Sequence, residues 1–202
     1  MLRLEDYKIL FIIASLIGTL LFASPSLALV IHLPGEEAFS EIWVLGSNRT
    51  TEDYPFNVKT GEVYKIFIGV ANHMGSSSYY IIKAKFRNQT DPLPDSTVGA
   101  PSSLSELYKY YVILQNGEEW ETQLTFSFSN ISKVENRCVV GTLKINDVTL
   151  IVNKPASWNI NYTGYYYQLL FELWIYNAET EAVQFHDRYC TIWLNMTLSS
   201  IS

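Results

Sequence analysis

Basic residues are scarce in this sequence. Fourteen Lys and Arg stand against twenty Asp and Glu, a net charge of −6. A nucleic-acid binder needs a basic stripe, and electrostatic docking on an anionic leaflet needs a polybasic cluster. Neither is present, so no nucleic acid partner is expected. Histidine is limited to His32, His73 and His186, far apart and without ligand spacing. No metal site and no cofactor are expected from them. There is no Cys-x-x-Cys, no Gly-x-Ser-x-Gly, no phosphate loop and no His-Glu-x-x-His. Without a catalytic constellation the chain does not read as an enzyme. Asp91 and Asp95 flank prolines in one stretch. Paired carboxylates serve glycoside hydrolysis, but turn capping is their commoner use in loops. Glu118, Glu119 and Glu121 read as a solvated edge.

Cysteine is down to two, Cys138 and Cys190. In an exported domain two cysteines suggest one disulfide. The loop closed would hold about 50 residues, worth about 4 kcal/mol in the chain-entropy model. Two separate buried thiols are the alternative, because spacing along the chain does not give the Cα separation.

Charge is also missing from one long run, Ile9 to Leu33, which ends at Pro34, Gly35, Glu36 and Glu37. A membrane span needs roughly 20 apolar residues. Arg3 and Lys8 precede the run and no basic residue follows until Arg49, which places the N-terminus inside. A signal peptide cleaved after Ala28 is the rival, with Ser26-Leu27-Ala28 at the right offsets and Pro25 as a helix breaker ahead of it. Against cleavage, the run continues through Leu29, Val30 and Ile31, well beyond an apolar core of about 7–15 residues. The expected layout is a short cytoplasmic segment over 1–8, a transmembrane helix over 9–33 and an extracellular domain over 34–202. The protein would then be single-pass in the cell membrane.

Five Asn-x-Ser/Thr acceptor sites follow the run, at Asn48, Asn88, Asn130, Asn161 and Asn195. In an exported chain such sites carry N-glycans on surface positions. Coincidence in an Asn- and Thr-rich β protein is the alternative.

Beyond the run the pattern has period two. Trp120, Thr122, Leu124, Phe126 and Phe128 share one face, and Glu119, Glu121, Gln123, Thr125 and Ser127 the other. Tyr80, Ile82, Ala84 and Phe86 alternate with Ile81, Lys83 and Lys85. Cys190, Ile192, Leu194 and Met196 alternate with Thr191, Trp193 and Asn195. Asn116-Gly117 between Tyr108–Gln115 and Glu118–Ser129 predicts a hairpin. Asn146-Asp147 between Thr142–Ile145 and Val148–Val152 predicts a second. Further strands are expected over Ala38–Leu45, Glu62–Asn72 and Tyr165–Asn177, and loops over Asp91–Ser105 and Asn153–Thr163. The fold expected is all-β: an immunoglobulin-like antiparallel β-sandwich preceded by one N-terminal transmembrane helix.

Tyrosine is abundant, 14 of 202 residues, with clusters at Tyr79–Tyr80, Tyr108–Tyr111 and Tyr165–Tyr167. Exposed aromatics bind sugars or proteins; cross-strand packing is the ordinary use.

Phe39-Ser40-Glu41-Ile42-Trp43-Val44-Leu45-Gly46 resembles the F-T-E-F-Y-x-L-G opening of a largely archaeal membrane-protein family, domain-of-unknown-function family 1616. Tyr54-Pro55-x-Asn57-Val58, Thr60-Gly61-Glu62 and Gly69-Val70-Ala71-Asn72-His73 follow at the family's spacing. Tyr79–Tyr80, Asn116-Gly117-Glu118-Glu119-Trp120 and Trp193-Leu194-Asn195 are similar to its later segments. The resemblance implies a membrane protein whose external β domain follows its last span, with no assigned activity. Members often carry several spans upstream, where this sequence shows one, and Val134–Thr163 is longer than the family pattern. Gly46 and Gly61 suit turns needing positive φ, Pro55 a bend before a strand, and Asn72 a side-chain bond to its own backbone.

The expected function is a non-enzymatic cell-surface role through contact with the membrane, with envelope proteins or with surface-layer components. The alternatives are a carbohydrate-binding module that takes glycans on the tyrosine clusters, and an accessory subunit of a membrane-face enzyme.

Overall fold

The computed structural model describes residues 4–30 and 37–197, and within the helix the side chains of Tyr7–Leu20 and Phe22. The chain divides into two units, residues 1–38 and 39–202. The first holds α1, Leu4–Val30, which runs on through Pro25. Ile9, Leu10, Phe11, Ile12 and Ile13 are consecutive and all exposed, so α1 has no polar face. Among the described residues no helix is long and apolar enough to cross a membrane. The expected span over 9–33 extends past the described residues at 31–33, where His32 also lies.

The second unit is all-β. Its strands are β1 Phe39–Leu45, β2 Asn57–Lys59, β3 Val63–His73, β4 Ser78–Asn88, β5 Tyr108–Leu114, β6 Glu119–Val134, β7 Arg137–Ile145, β8 Val148–Ser157, β9 Tyr166–Asn177 and β10 Ala182–Thr197. They form two five-stranded sheets, β1-β3-β6-β7-β8 and β2-β10-β9-β4-β5. All pairings are antiparallel except β2 with β10.

One apolar core lies between the sheets. Ile66, Ile68 and Val70 of β3 and Leu124, Phe126 and Phe128 of β6 supply one side. Tyr80, Ile82, Ala84 and Phe86 of β4 and Tyr167, Leu169, Phe171 and Leu173 of β9 supply the other. These are the inward sets that period two predicts. Phe86 joins the layers, with its ring 5.4 Å from Phe128 and stacked at 5.2 Å on Tyr167. Each fully buried Leu, Ile or Phe contributes about 1.5–3 kcal/mol.

One expected hairpin is not formed. Asn116-Gly117 does not close a hairpin, because β5 pairs with β4 and β6 with β3. Gly117 adopts φ +82° as the turn requires, but the turn carries the chain from one sheet to the other. Asn72 fixes it there. The backbone of Asn72 donates to the Glu118 carbonyl and accepts from Gly117 N–H. Its buried side chain donates to the Ser76 and Leu114 carbonyls and accepts from Met74 N–H and the Tyr80 hydroxyl. The Asn146-Asp147 hairpin does form, between β7 and β8, with Asn146 at φ +50°.

The outer face of β4 is covered as well. Lys85 and Arg87 are 4% and 5% exposed. The segment after β4 folds back over them as a strap. Lys85 Nζ donates to the Ser102 carbonyl (2.6 Å) and pairs with Glu172 at 2.9 Å. Glu172 also accepts from Ser102 N–H and Trp174 Nε1. Arg87 donates to Gln168 and to the Asp91 carbonyl. Desolvation holds its guanidinium below the usual arginine value.

Candidate functional site

The parallel pairing of β2 with β10 brings Phe56, just before β2, beside the outward face of β10, where Trp193 stands. The connection from β8 to β9 folds over the same place. Asn159 shapes it: its Oδ1 accepts from Asn161 N–H (3.0 Å) and Tyr162 N–H (3.2 Å), and its backbone pairs with Gly164. Any side chain on Gly164 would overlap Asn195 Oδ1 and crowd the Tyr166 ring, so only glycine lets the loop close this tightly.

The result is a cleft of about 370 Å³ lined by Phe56, Gln89, Asn159, Tyr162, Tyr166 and Trp193. Tyr166 is the floor, 9% exposed; Tyr162 and Trp193 are 72% and 46% exposed. The rings of Tyr162 and Trp193 both stand at 83° to Tyr166, with centroids at 6.2 and 6.3 Å. Phe56 lies 6.1 Å from Tyr166. Among the described residues no charged side chain lines the cleft. Most of its polar groups bond internally, the Tyr162 hydroxyl and the Trp193 indole N–H excepted. Asn159 Nδ2 donates to Gln89 Oε1 (3.1 Å), Gln89 Nε2 to the Ser157 carbonyl (3.3 Å), and the Tyr166 hydroxyl to the Tyr162 carbonyl.

The tyrosine clusters divide between packing and exposure. Tyr80, Tyr165 and Tyr167 are buried. Tyr110 packs on Tyr108 and Trp120. Tyr111 is exposed and stacks on Tyr79. Of the three clusters only Tyr166 enters the cleft. Phe56, Gln89, Asn159, Tyr162 and Trp193 were not singled out from sequence as site residues. The outward place of Trp193 between Thr191 and Asn195 was the available signal.

The cysteines are free thiols, Cys138 buried and Cys190 half-buried. The expected bridge is not made, and strand register explains why. Cys138 is on β7, and its carbonyl accepts the Tyr167 hydroxyl at 2.7 Å. Tyr167 is in register with Leu194, whereas Cys190 is in register with Phe171. Cys190 therefore lies four residues, about 13 Å, further along β10 at about 3.3 Å per residue. A disulfide needs Cα atoms within about 7 Å. Burial pushes both thiols above the usual cysteine range.

The five acceptor asparagines differ in their surroundings. Asn48 and Asn161 are exposed in turns. Asn88 Nδ2 donates to the Pro155 carbonyl (2.8 Å) and Asn130 Nδ2 to Thr142 Oγ1 (2.9 Å). Asn195 is half-buried beneath the β8–β9 loop, its Nδ2 donating to Asn57 Oδ1 (3.0 Å).

Asp91 and Asp95 both cap turns. Asp91 Oδ2 accepts from Asn88 N–H and from Lys154 Nζ. Asp95 Oδ1 accepts from Thr97, which holds its carboxyl below the usual value. Of Glu118, Glu119 and Glu121, Glu121 pairs with Arg49 (3.1 Å) and Glu118 accepts from Gln115 N–H. His73 stacks on Phe39 and faces Glu41 at 3.5 Å. His186 Nε2 is 3.0 Å from Ser40 Oγ, which is 2.6 Å from the Tyr80 hydroxyl. Ser40 is 1% exposed and its hydroxyl is engaged on both sides, so it is closed off from solvent. Among the described residues no cluster of three His, Cys, Asp or Glu is placed to hold a metal.

The class this geometry defines is a two-sheet β domain with an aromatic edge cleft. The sequence matches the family described as "Domain of unknown function (DUF1616)" over residues 34–139, more than half of the chain, and the chain belongs to that family. No curated protein matches it. Among solved structures it is similar to the CARDB domain of a Pyrococcus furiosus protein in complex with di-metal ions, at 10% identity and TM-score 0.39, over 80% of this chain and 90% of that one. It is also similar to a β-glucosidase from Listeria innocua in complex with glucose, at 10% identity and TM-score 0.38, over 79% of this chain. The chain spans only 16% of that enzyme's length. A human CEP192 ASH/PapD-like domain matches at 8% identity and TM-score 0.26, over 80% of this chain and 84% of that one.

Proposed function

We propose that this protein is a non-enzymatic binding module held at the cell membrane by the segment over 9–33, with its β domain outside. The observation that carries the binding role is the cleft. The exposed rings of Trp193 on β10 and of Tyr162 in the loop braced by Asn159, each at right angles to Tyr166, keep apolar surface open to solvent at a cost that a contact would offset. The anchor rests on the uncharged run and on Arg3 and Lys8 ahead of it.

The finer fold reading is immunoglobulin-like. With β1, β3 and β6 as A, B and E, and β4, β9 and β10 as C, F and G, the sheet orders A-B-E and C-F-G support that reading. The departure is the β7–β8 hairpin, which follows β6 in the chain and stands beside it where strand D, preceding E, would be.

The test places a photo-crosslinking amino acid at position 160, exposed on the same loop and outside the cleft lining, in the full-length protein in its native membrane. One dominant protein, lipid or glycan adduct is expected, together with loss of residues 34–202 when protease is added to intact cells. The reading fails if illumination yields no adduct, or if the β domain resists external protease but is cut after lysis.

A further inference from the structure

We infer that the cleft is an aromatic cage for a methylated ammonium group, quaternary or trimethylated. The inference deepens the binding role proposed above and rests on it. Three features of the cleft select this chemistry.

The first is ring geometry. The walls formed by Tyr162 and Trp193 stand at 83° to the Tyr166 floor, and Phe56 flanks the floor at 6.1 Å. A compact cation set among them meets the electron-rich faces of several rings at once, and each face attracts it through the ring quadrupole.

The second is the polar inventory. The side-chain amides of Gln89 and Asn159 bond one another and the local backbone, and the Tyr166 hydroxyl bonds the Tyr162 carbonyl. That leaves the Tyr162 hydroxyl and the Trp193 indole N–H of the lining to meet a ligand's polar atoms. A sugar buries many hydroxyls, each of which loses free energy when it finds no partner. A primary ammonium has the same difficulty with its N–H groups. A methylated ammonium has few or no N–H groups, and its methyls match the apolar lining.

The third is charge. No basic side chain lines the cleft, and the chain carries a net −6, which favours approach of a cation. Arg87, in line with Gln168 and Trp193 across the sheet, spends its guanidinium on Gln168 and the Asp91 carbonyl. The volume, about 370 Å³, is at the small end of ligand pockets. It suits one head group better than an extended peptide, which advances about 3.1 Å per residue.

The test uses full-length protein in a polyoxyethylene detergent, whose head group is neither a sugar nor an ammonium. Choline, tetramethylammonium, the uncharged isostere 3,3-dimethylbutanol and methyl glucoside are titrated by calorimetry. Choline and tetramethylammonium should bind, and dimethylbutanol should bind at least about tenfold more weakly. W193A and Y162A should each weaken choline about tenfold or more with the far-ultraviolet spectrum unchanged, and W193F should retain most of it. Equal binding of dimethylbutanol, binding of methyl glucoside in place of choline, or choline affinity unchanged in W193A would overturn the cage. Phosphocholine and trimethyllysine distinguish the sources. Tighter binding of the first assigns a lipid head group, and of the second a methylated lysine; either supports the cage. An adduct at position 160 with no choline binding sinks the cage and leaves the binding module standing. Absence of both removes both.

Discussion

The ring of Trp43 lies across the backbone of Gly69, its register partner on the neighbouring strand. A Cβ at position 69 would overlap the indole. Cross-strand cover of a glycine by an aromatic is a known device for pinning register. Two widely spaced pieces of the family motif, Ile42-Trp43-Val44 and Gly69-Val70-Ala71, thus meet in one packing contact, without any ligand. Gly69→Ala should destabilise by about 1–3 kcal/mol through overpacking, read as a fall in the urea midpoint. Adding Trp43→Ala should relieve part of that loss, because the two changes act on one contact. Strict additivity would show that the ring does not depend on the glycine.

The Lys85–Glu172 pair is 4% and 0% exposed at the side chains. A buried pair adds little net stability, but removing one partner leaves an uncompensated charge. Lys85→Met should therefore cost about 3–5 kcal/mol. Lys85→Met with Glu172→Leu should recover most of it, measured by chemical denaturation of both variants. If the double variant is as unstable as the single one, the strap depends on the ion pair itself and not on charge balance.

Strand positions were largely legible in the sequence, and the reason is local. Every apolar inward residue expected for β4 and β6 packs in or against the core, because alternation is a property of one strand. What failed was non-local. Asn116-Gly117 makes the turn its residues favour, but the partners of β5 and β6 are set by Asn72 and the sheet edges. The alternation in β4 carries no sign of the strap from Ser102 that covers Lys85. The cleft depends on the three-residue strand β2, too short to announce itself, placing Phe56 near Trp193. Tyr166 was visible as part of a tyrosine cluster, but not as the one member that points away from the core.

His186 provides a pH test. Burial, helped by the Arg188 charge and opposed by Asp187, lowers its pKa from the ordinary value. The ring faces Ser40 Oγ and lies 6.4 Å from the Tyr80 ring. The unfolded state therefore binds the proton more readily. Stability from this group is complete above about pH 6.5 and is lost as pH falls toward the depressed native value. His186→Gln should flatten the stability curve in that window. Glu106 acts lower. Its hydrogen bond to Lys109 depresses its carboxyl, so its contribution disappears only below the ordinary glutamate range. A slope just below pH 6.5 that survives His186→Gln would assign the effect to another group.

The acceptor asparagines should split by the engagement of the amide nitrogen that a glycan would occupy. Asn161 is exposed at the loop tip, and Asn48 is exposed with only a surface bond to Asp53 (3.1 Å). Asn88, Asn130 and Asn195 each commit that nitrogen to an internal acceptor. For Asn195, Gly164 sits against the side chain as well. A glycan is bulky and needs a solvated position. Expressed with its N-terminal segment in a glycosylating host, the protein should carry glycan at Asn48 and Asn161 and at neither Asn88 nor Asn195. Site-by-site Asn→Gln variants with intact-mass measurement read this directly. Asn161→Gln should remove one glycan mass, whereas Asn88→Gln should leave the glycan mass unchanged and lower stability by about 1 kcal/mol through the lost bond to Pro155. Occupancy at Asn195 above that at Asn161 would mean that the β8–β9 loop closes over the cleft only after the chain has been modified.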